Sequence, residues 1–339
     1  METMETFWLW AGFILFIVAL LALDLGLLHR EDKVVTIRQA LWQSLGYVVL
    51  ALIFAAGVFA FKGKVAGYQF LTGYLIEKSL SVDNIFVFVL IFTHFAVPPQ
   101  YQYRVLFWGI FGALVLRASL ILAGAAIIEA FHWVIYLFGA FLIFTGIRML
   151  IAVEAEPDIE NNRIVGFMRR RFRMTEGFVG SHFFVVQNGV RYMTPLFVVL
   201  VLVALTDVVF ALDSIPAIFA ITTDPFIIFT SNVFAILGLR AMYFALAGII
   251  HRFHYLKYGL SLILVFVGGK MIVNAWFDED VISIEAALLV TAVMIIASVL
   301  FSMWKTRHLP PEEIEAASVR WWVPGSPPRK DPPKEKRSD

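Results

Sequence analysis

The chain of 339 residues is 60% hydrophobic and only 16% charged, with a mean hydropathy of +0.82. A soluble domain is about half apolar and about a quarter charged, so composition excludes one and predicts a polytopic membrane protein without a nucleic-acid partner. The net charge of +1 is uninformative because the charges are segregated, and the lack of cysteine removes thiolate metal sites and disulfides. Phenylalanine is abundant, with 33 residues, and is expected to serve as lipid-facing bulk.

The chain begins with the acidic run Met1-Glu2-Thr3-Met4-Glu5, where a secretory signal would be basic. No small-residue cleavage site follows, so the first apolar run is expected to be a retained span. A helix needs about 20 apolar residues to cross about 30 Å of hydrocarbon. That length predicts an all-α fold of about nine spans, at 7–28, 40–61, 68–95, 104–128, 132–152, 194–220, 226–250, 256–277 and 282–304. The loops after spans one, three, five and seven, with the C-terminal tail, carry 20 Lys and Arg; the other side carries Lys62 and Lys64. The positive-inside rule then predicts an external N-terminus and a cytoplasmic C-terminus.

Residues 1–305 therefore read as the transmembrane domain, interrupted by one long cytoplasmic loop at 153–193. The loop carries Arg169-Arg170-Arg171-Phe172-Arg173, suited to retention and contact with anionic lipid. Asn188-Gly189, between β-favouring runs, predicts a hairpin. Residues 306–339 are rich in Pro, Lys, Arg and Glu and read as a disordered cytoplasmic tail.

Two acidic stretches stand out: Glu77-Lys78-Ser79-Leu80-Ser81-Val82-Asp83-Asn84 and Asp207-Val208-Val209-Phe210-Ala211-Leu212-Asp213-Ser214. Each falls within a predicted span, where an ionisable group costs roughly 3 kcal/mol on insertion scales and usually marks an ion or proton path. The stretches also belong to a weak internal repeat. Gly112-Ala113-Leu114-Val115-Leu116-Arg117-Ala118 resembles Ala235-Ile236-Leu237-Gly238-Leu239-Arg240-Ala241, and Phe144–Leu150 resembles Phe266–Ile272. Residues 68–152 thus repeat as 194–277. Three spans are an odd number, so the copies enter from opposite faces as an inverted 3+3 repeat, a transporter construction with its site at the midplane.

Residues i and i+7 share a helix face, whereas i and i+6 diverge by about 120°. Glu77 therefore aligns with Asn84 and Asp207 with Ser214, while Asp83 and Asp213 point elsewhere. For both acids of a copy to reach one ion, the helix must unwind. Pro216, which has no amide for the Leu212 carbonyl, makes the second copy the expected place. Glu77, Asp83, Asn84, Asp207, Asp213, Ser214 and the Leu212 backbone oxygen would give an all-oxygen site for Mg²⁺, Ca²⁺ or Mn²⁺. Excess negative charge would fall to protons or to Lys78, Arg117, Arg240 and Lys270, so exchange of metal for protons is the suggested mechanism. The competing view is structural: buried ion pairs such as Glu77 with Arg240, or Asp207 with Arg117. Arginine cannot ligate a cation, so Arg117 and Arg240 are expected to pair or position. The seven histidines have no metal-ligand spacing. Thr72-Gly73 and Gly268-Gly269 are expected to allow close helix packing.

The stretches Phe70–Phe86 and Asp207–Ala217, with Thr222-Thr223-Asp224-Pro225-Phe226, Ser231-Asn232 and Leu237–Tyr243, resemble the TerC integral membrane family, most closely its Alx-type branch. The resemblance covers about residues 10–305. It implies a bacterial inner-membrane protein of manganese homeostasis that exports Mn²⁺ as its substrate, with no tightly bound cofactor. It also maps the family's paired acidic motifs onto Glu77, Asp83, Asp207 and Asp213. The alternative is a non-transporting partner in metal loading or in stress and tellurium resistance, recruiting proteins through residues 163–193. No nucleophile–base set or cofactor motif points to an enzyme, and the sequence leaves the oligomeric state open.

Overall fold

The apolar runs fold as helices because a backbone out of reach of water must bond within its own segment. The computed structural model describes residues 2–23, 36–151, 163–247 and 255–307. The C-terminal tail from residue 308 onward lies outside them. In chain order the helices are α1 (Glu2–Leu23), α2 (Ile37–Phe61), α3 (Lys64–His94), α4 (Pro99–Ala130) and α5 (Val134–Ile151). The short α6 (Arg163–Arg171) and strands β1 (Phe184–Gln187) and β2 (Val190–Met193) follow. Next come α7 (Pro195–Phe219), α8 (Pro225–Leu237), α9 (Leu239–Leu246), α10 (Leu256–Phe277) and α11 (Ile284–Thr306).

Seven of the described helices are long and apolar enough to cross a membrane, α8 and α9 together forming one of them. Against the nine expected spans, α1 offers the shorter apolar stretch Phe7–Ala22. Helix α3 is long enough, at 31 residues, but carries Glu77, Lys78, Asp83 and Asn84 through its middle and is not among the seven.

Local chemistry sets several boundaries. Thr36 caps α2 in a reciprocal capping box with Gln39. Asp224 accepts from the amides of Phe226 and Ile227 while Pro225 takes the first helical position, which starts α8. Lys62 Nζ reaches the second Asp224 oxygen at 2.6 Å. Asn188 and Gly189, with φ of 52° and 75°, make the tight turn of an antiparallel hairpin pairing Gln187 with Val190.

The expected unwinding at Pro216 does not occur: α7 runs unbroken through it. Pro216 lies three residues before the end of the helix at Phe219, so it removes one hydrogen bond where the last turn is already ending. The interruption falls instead at Gly238, between α8 and α9. Phenylalanine is not only lipid-facing bulk. Phe61, Phe144 and Phe277 do face outward, but Phe70, Phe88, Phe92 and Phe234 are fully buried. Phe54, Phe70 and Phe234 pack ring against ring.

The α8–α9 span is the centre of the molecule, with 89% of its apolar window buried, against 17% for α2 and α11. Helix α3 packs on α7 and α8, and α4 packs on the same two helices. Helix α5 makes its main contact with α10. That pair approaches backbone to backbone: a Cβ on Gly268 would lie 2.7 Å from the Gly139 carbonyl oxygen, and one on Gly146 2.7 Å from that of Ser261. Gly269 has open space beside it. Gly268→Ala is therefore expected to lower thermal stability in detergent by about 1–3 kcal/mol, as overpacking does, and Gly269→Ala to leave it unchanged. Equal melting temperatures for the two variants would contradict this packing.

Candidate functional site

Helical spacing puts Glu77 and Asn84 on one face of α3, and Asp207 and Ser214 on one face of α7. The two faces meet around a side chain from a third helix. Arg117 of α4 enters between them, and all five residues are buried, with 1–3% of their surface exposed. Its guanidinium donates twice to Asp207, from Nε to Oδ2 and from Nη2 to Oδ1, both at 3.2 Å. Nη1 donates to Glu77 Oε1, to Asn232 Oδ1 at 2.9 Å and to Ser214 Oγ at 3.2 Å. Asn232 of α8 closes the ring by donating from Nδ2 to Glu77 Oε2 at 3.3 Å. Asn84 Nδ2 donates to Asp207 Oδ1 at 3.4 Å, which leaves Asn84 Oδ1 buried with no hydrogen-bond partner.

The cluster gathers two carboxylates, two amides, one hydroxyl and one guanidinium at the meeting of α3, α4, α7 and α8. Its formal charge is −1, from Glu77, Asp207 and Arg117. A planar fork of five donors suits this arrangement, because only arginine can grip one carboxylate bidentately and still reach a second. The cavity touching Asp207, lined by Phe88, Leu106, Val203 and Leu239 among others, holds about 10 Å³. That is room for one water at most. The cluster is closed to bulk solvent in this conformation.

The other residues singled out in the sequence lie elsewhere. Asp213 is half-buried and accepts from Thr145 Oγ1 of α5 at 3.4 Å. Asp83 is partly buried and stands outside the Arg117 cluster. Six residues of helix rotate both acids away from Glu77 and Asp207, and without a break in α3 or α7 neither can swing back. Among the described residues no three acidic, histidine or cysteine side chains come close enough to hold a metal. The four acids therefore do not form a single site. The Leu212 carbonyl is not among the groups that Arg117 bonds, and the Leu212 side chain is exposed.

Of the expected charge-balancing residues, Arg117 pairs with Glu77 and Asp207. Lys78, a third of a turn from Glu77, instead points to the end of α8, where Nζ lies 3.5 Å from the Ala235 carbonyl oxygen. Arg240 is buried over the Tyr103 ring at 4.3 Å. Lys270 is buried on α10. Asn232 is a site residue that spacing alone does not single out. Its signal was the adjacent polar pair Ser231-Asn232 inside an otherwise apolar span, the same signal that marked Asn84.

The fold and this intramembrane charged cluster define the class: a polytopic helical membrane protein with buried ionisable groups at its core. Residues 62–309 match the Integral membrane protein TerC family, and the chain belongs to that family. It is 53% identical over 311 residues to the membrane protein STKORF319 of Myxococcus xanthus, covering 92% of this chain and 97% of that one. It is 47% identical over 313 residues to the Escherichia coli protein named "Putative membrane-bound redox modulator Alx", covering 90% and 97%. A membrane protein of Rickettsia bellii is 42% identical over 292 residues, covering 86% and 97%. No solved structure matches the chain.

Proposed function

We propose that this protein is a divalent-cation transporter of the bacterial inner membrane that exports Mn²⁺, with protons as the counter-transported ion. The observation that carries the reading is the buried oxygen cluster of Glu77, Asp207, Asn84, Ser214 and Asn232 at the meeting of four helices. Carboxylate, amide and hydroxyl oxygens suit a hard or borderline dication, and such ions often take one or two protein carboxylates and keep some of their water. Asp213 with Thr145, and Asp83 on the other copy, lie outside the cluster and are suited to carrying protons rather than metal.

Nine spans with an inverted 3+3 repeat remain our reading, and helix packing supports the repeat of α3, α4 and α5 as α7, α8–α9 and α10. Exchanging α3 with α7, α4 with α8–α9 and α5 with α10 turns the α3–α8 contact into the α7–α4 contact, and leaves the α3–α7 and α5–α10 contacts as themselves. Charge placement supports an external N-terminus and a cytoplasmic C-terminus. The basic loop with its hairpin would then meet anionic lipid on the cytoplasmic side.

One observation favours a second reading. Arg117 pairs with both carboxylates, as a purely structural ion network would, leaving a partner role for residues 163–193. The redox role in the Escherichia coli relative's name has less support, since the chain offers no cysteine thiol. Purified protein in liposomes separates transport from a partner role. Mn²⁺ movement driven by an imposed proton gradient is expected, and the absence of movement under a gradient of either sign would favour the partner.

A further inference from the structure

We infer that Arg117 is a tethered cation that occupies the metal site in this closed conformation and must withdraw before a dication can enter. The inference rests on the cation-binding reading above. Its guanidinium uses the same oxygens that would ligate an ion: both Asp207 oxygens, Glu77 Oε1, Ser214 Oγ and Asn232 Oδ1. Every one of those contacts is buried. Arginine stays protonated at any working pH, so the competition cannot be relieved by loss of its proton.

Formal charge makes the two occupants exclusive. With Arg117 seated, Glu77 and Asp207 leave the cluster at −1. A dication that replaced the guanidinium would bring the two carboxylates to neutrality. Both together would reach +1, with two cations in contact in a low-dielectric core, where like charges repel most strongly. A second observation points to a ligand. Asn84 Oδ1 is buried and unpartnered in this state, although Asn84 bonds Asp207 through its other atom. A network built only for structure gains nothing from an orphaned buried oxygen. An ion bound by Asp207 would give that oxygen a partner.

Return of the guanidinium then serves release. It restores the ligands' hydrogen bonds as the ion leaves, so the emptied site is never left with two uncompensated charges. Arginine suits this better than lysine, because one fork satisfies both carboxylates at once.

The test is Mn²⁺ titration of the full-length protein by calorimetry in detergent, at mildly alkaline pH, with flux measured in liposomes. Arg117→Gln, freed of the competitor, should bind Mn²⁺ at least tenfold more tightly than wild type and turn it over more slowly. Equal or weaker binding by Arg117→Gln overturns the inference. Should that variant fail to fold, Arg117→Lys decides. It keeps the charge but loses the bidentate grip, so tighter binding than wild type supports the tethered cation and unchanged or weaker binding overturns it. If wild type moves Mn²⁺ while neither variant binds it more tightly, only this inference fails. If wild type neither binds nor moves Mn²⁺, the transport reading fails and takes the inference with it.

Discussion

Glu77→Ala and Asp207→Ala should each abolish Mn²⁺ export, leaving manganese-loaded cells with as much of the metal as cells lacking the protein. Each change removes one of only two carboxylates in the buried cluster. Loss of even an outer-shell partner costs a metal site ~10–100-fold, and loss of a charged ligand should cost at least that. Asp83→Ala and Asp213→Ala should behave differently, because neither side chain reaches the cluster. Their variants should retain Mn²⁺ binding and lose the dependence of flux on the proton gradient. Wild-type export by Glu77→Ala or Asp207→Ala would remove the cluster from the mechanism. Loss of Mn²⁺ binding in Asp213→Ala would extend the metal site to a second location.

Arg117→Leu should be the most destabilising single substitution in the membrane core, by about 3–5 kcal/mol, since it strands two buried carboxylates. Adding Glu77→Gln and Asp207→Asn should recover most of that loss, because a buried ion network replaced as a whole is often neutral in stability. Thermal unfolding in one detergent compares the three proteins directly. The same experiment with added Mn²⁺ bears on function: a ligand that binds only the folded state stabilises it according to its affinity. Arg117→Leu should therefore gain more from Mn²⁺ than wild type does. A single variant as stable as wild type, or a triple variant no better than the single, would mean that the Arg117 pairs are energetically idle.

Much of the cluster was legible in the sequence, and the rest was tertiary. The i, i+7 rule paired Glu77 with Asn84 and Asp207 with Ser214, and the same arithmetic sent Asp83 and Asp213 elsewhere. A buried arginine that cannot ligate a cation implies a pairing role for Arg117, with Asp207 among the available partners. That it holds both acids depends on α4 packing against α7 and α8, which no local pattern shows. Asn232 was hidden for the same reason: a lone amide in a span acquires meaning only from what faces it. Seven spans followed from apolar length, while α3 is a long helix whose charged middle keeps it out of that set, and helix ends did not follow. Helix α4 begins at Pro99, five residues before the predicted start, because a proline fits a first helical turn. The break expected at Pro216 failed because proline's cost depends on its distance from the helix end, and Gly238 supplied the interruption instead. The hairpin was readable from Asn188-Gly189 alone, since few other dipeptides accept positive φ twice in succession.

The most direct test of the central claim is anomalous scattering at the manganese edge from crystals of the full-length protein grown with Mn²⁺. One intramembrane peak is expected at coordination distance from Glu77 and Asp207, with Asn84 Oδ1 turned toward it and the Arg117 guanidinium withdrawn. A peak at Asp213 and Thr145 instead, or an Arg117 still seated between both carboxylates beside the bound ion, would contradict it.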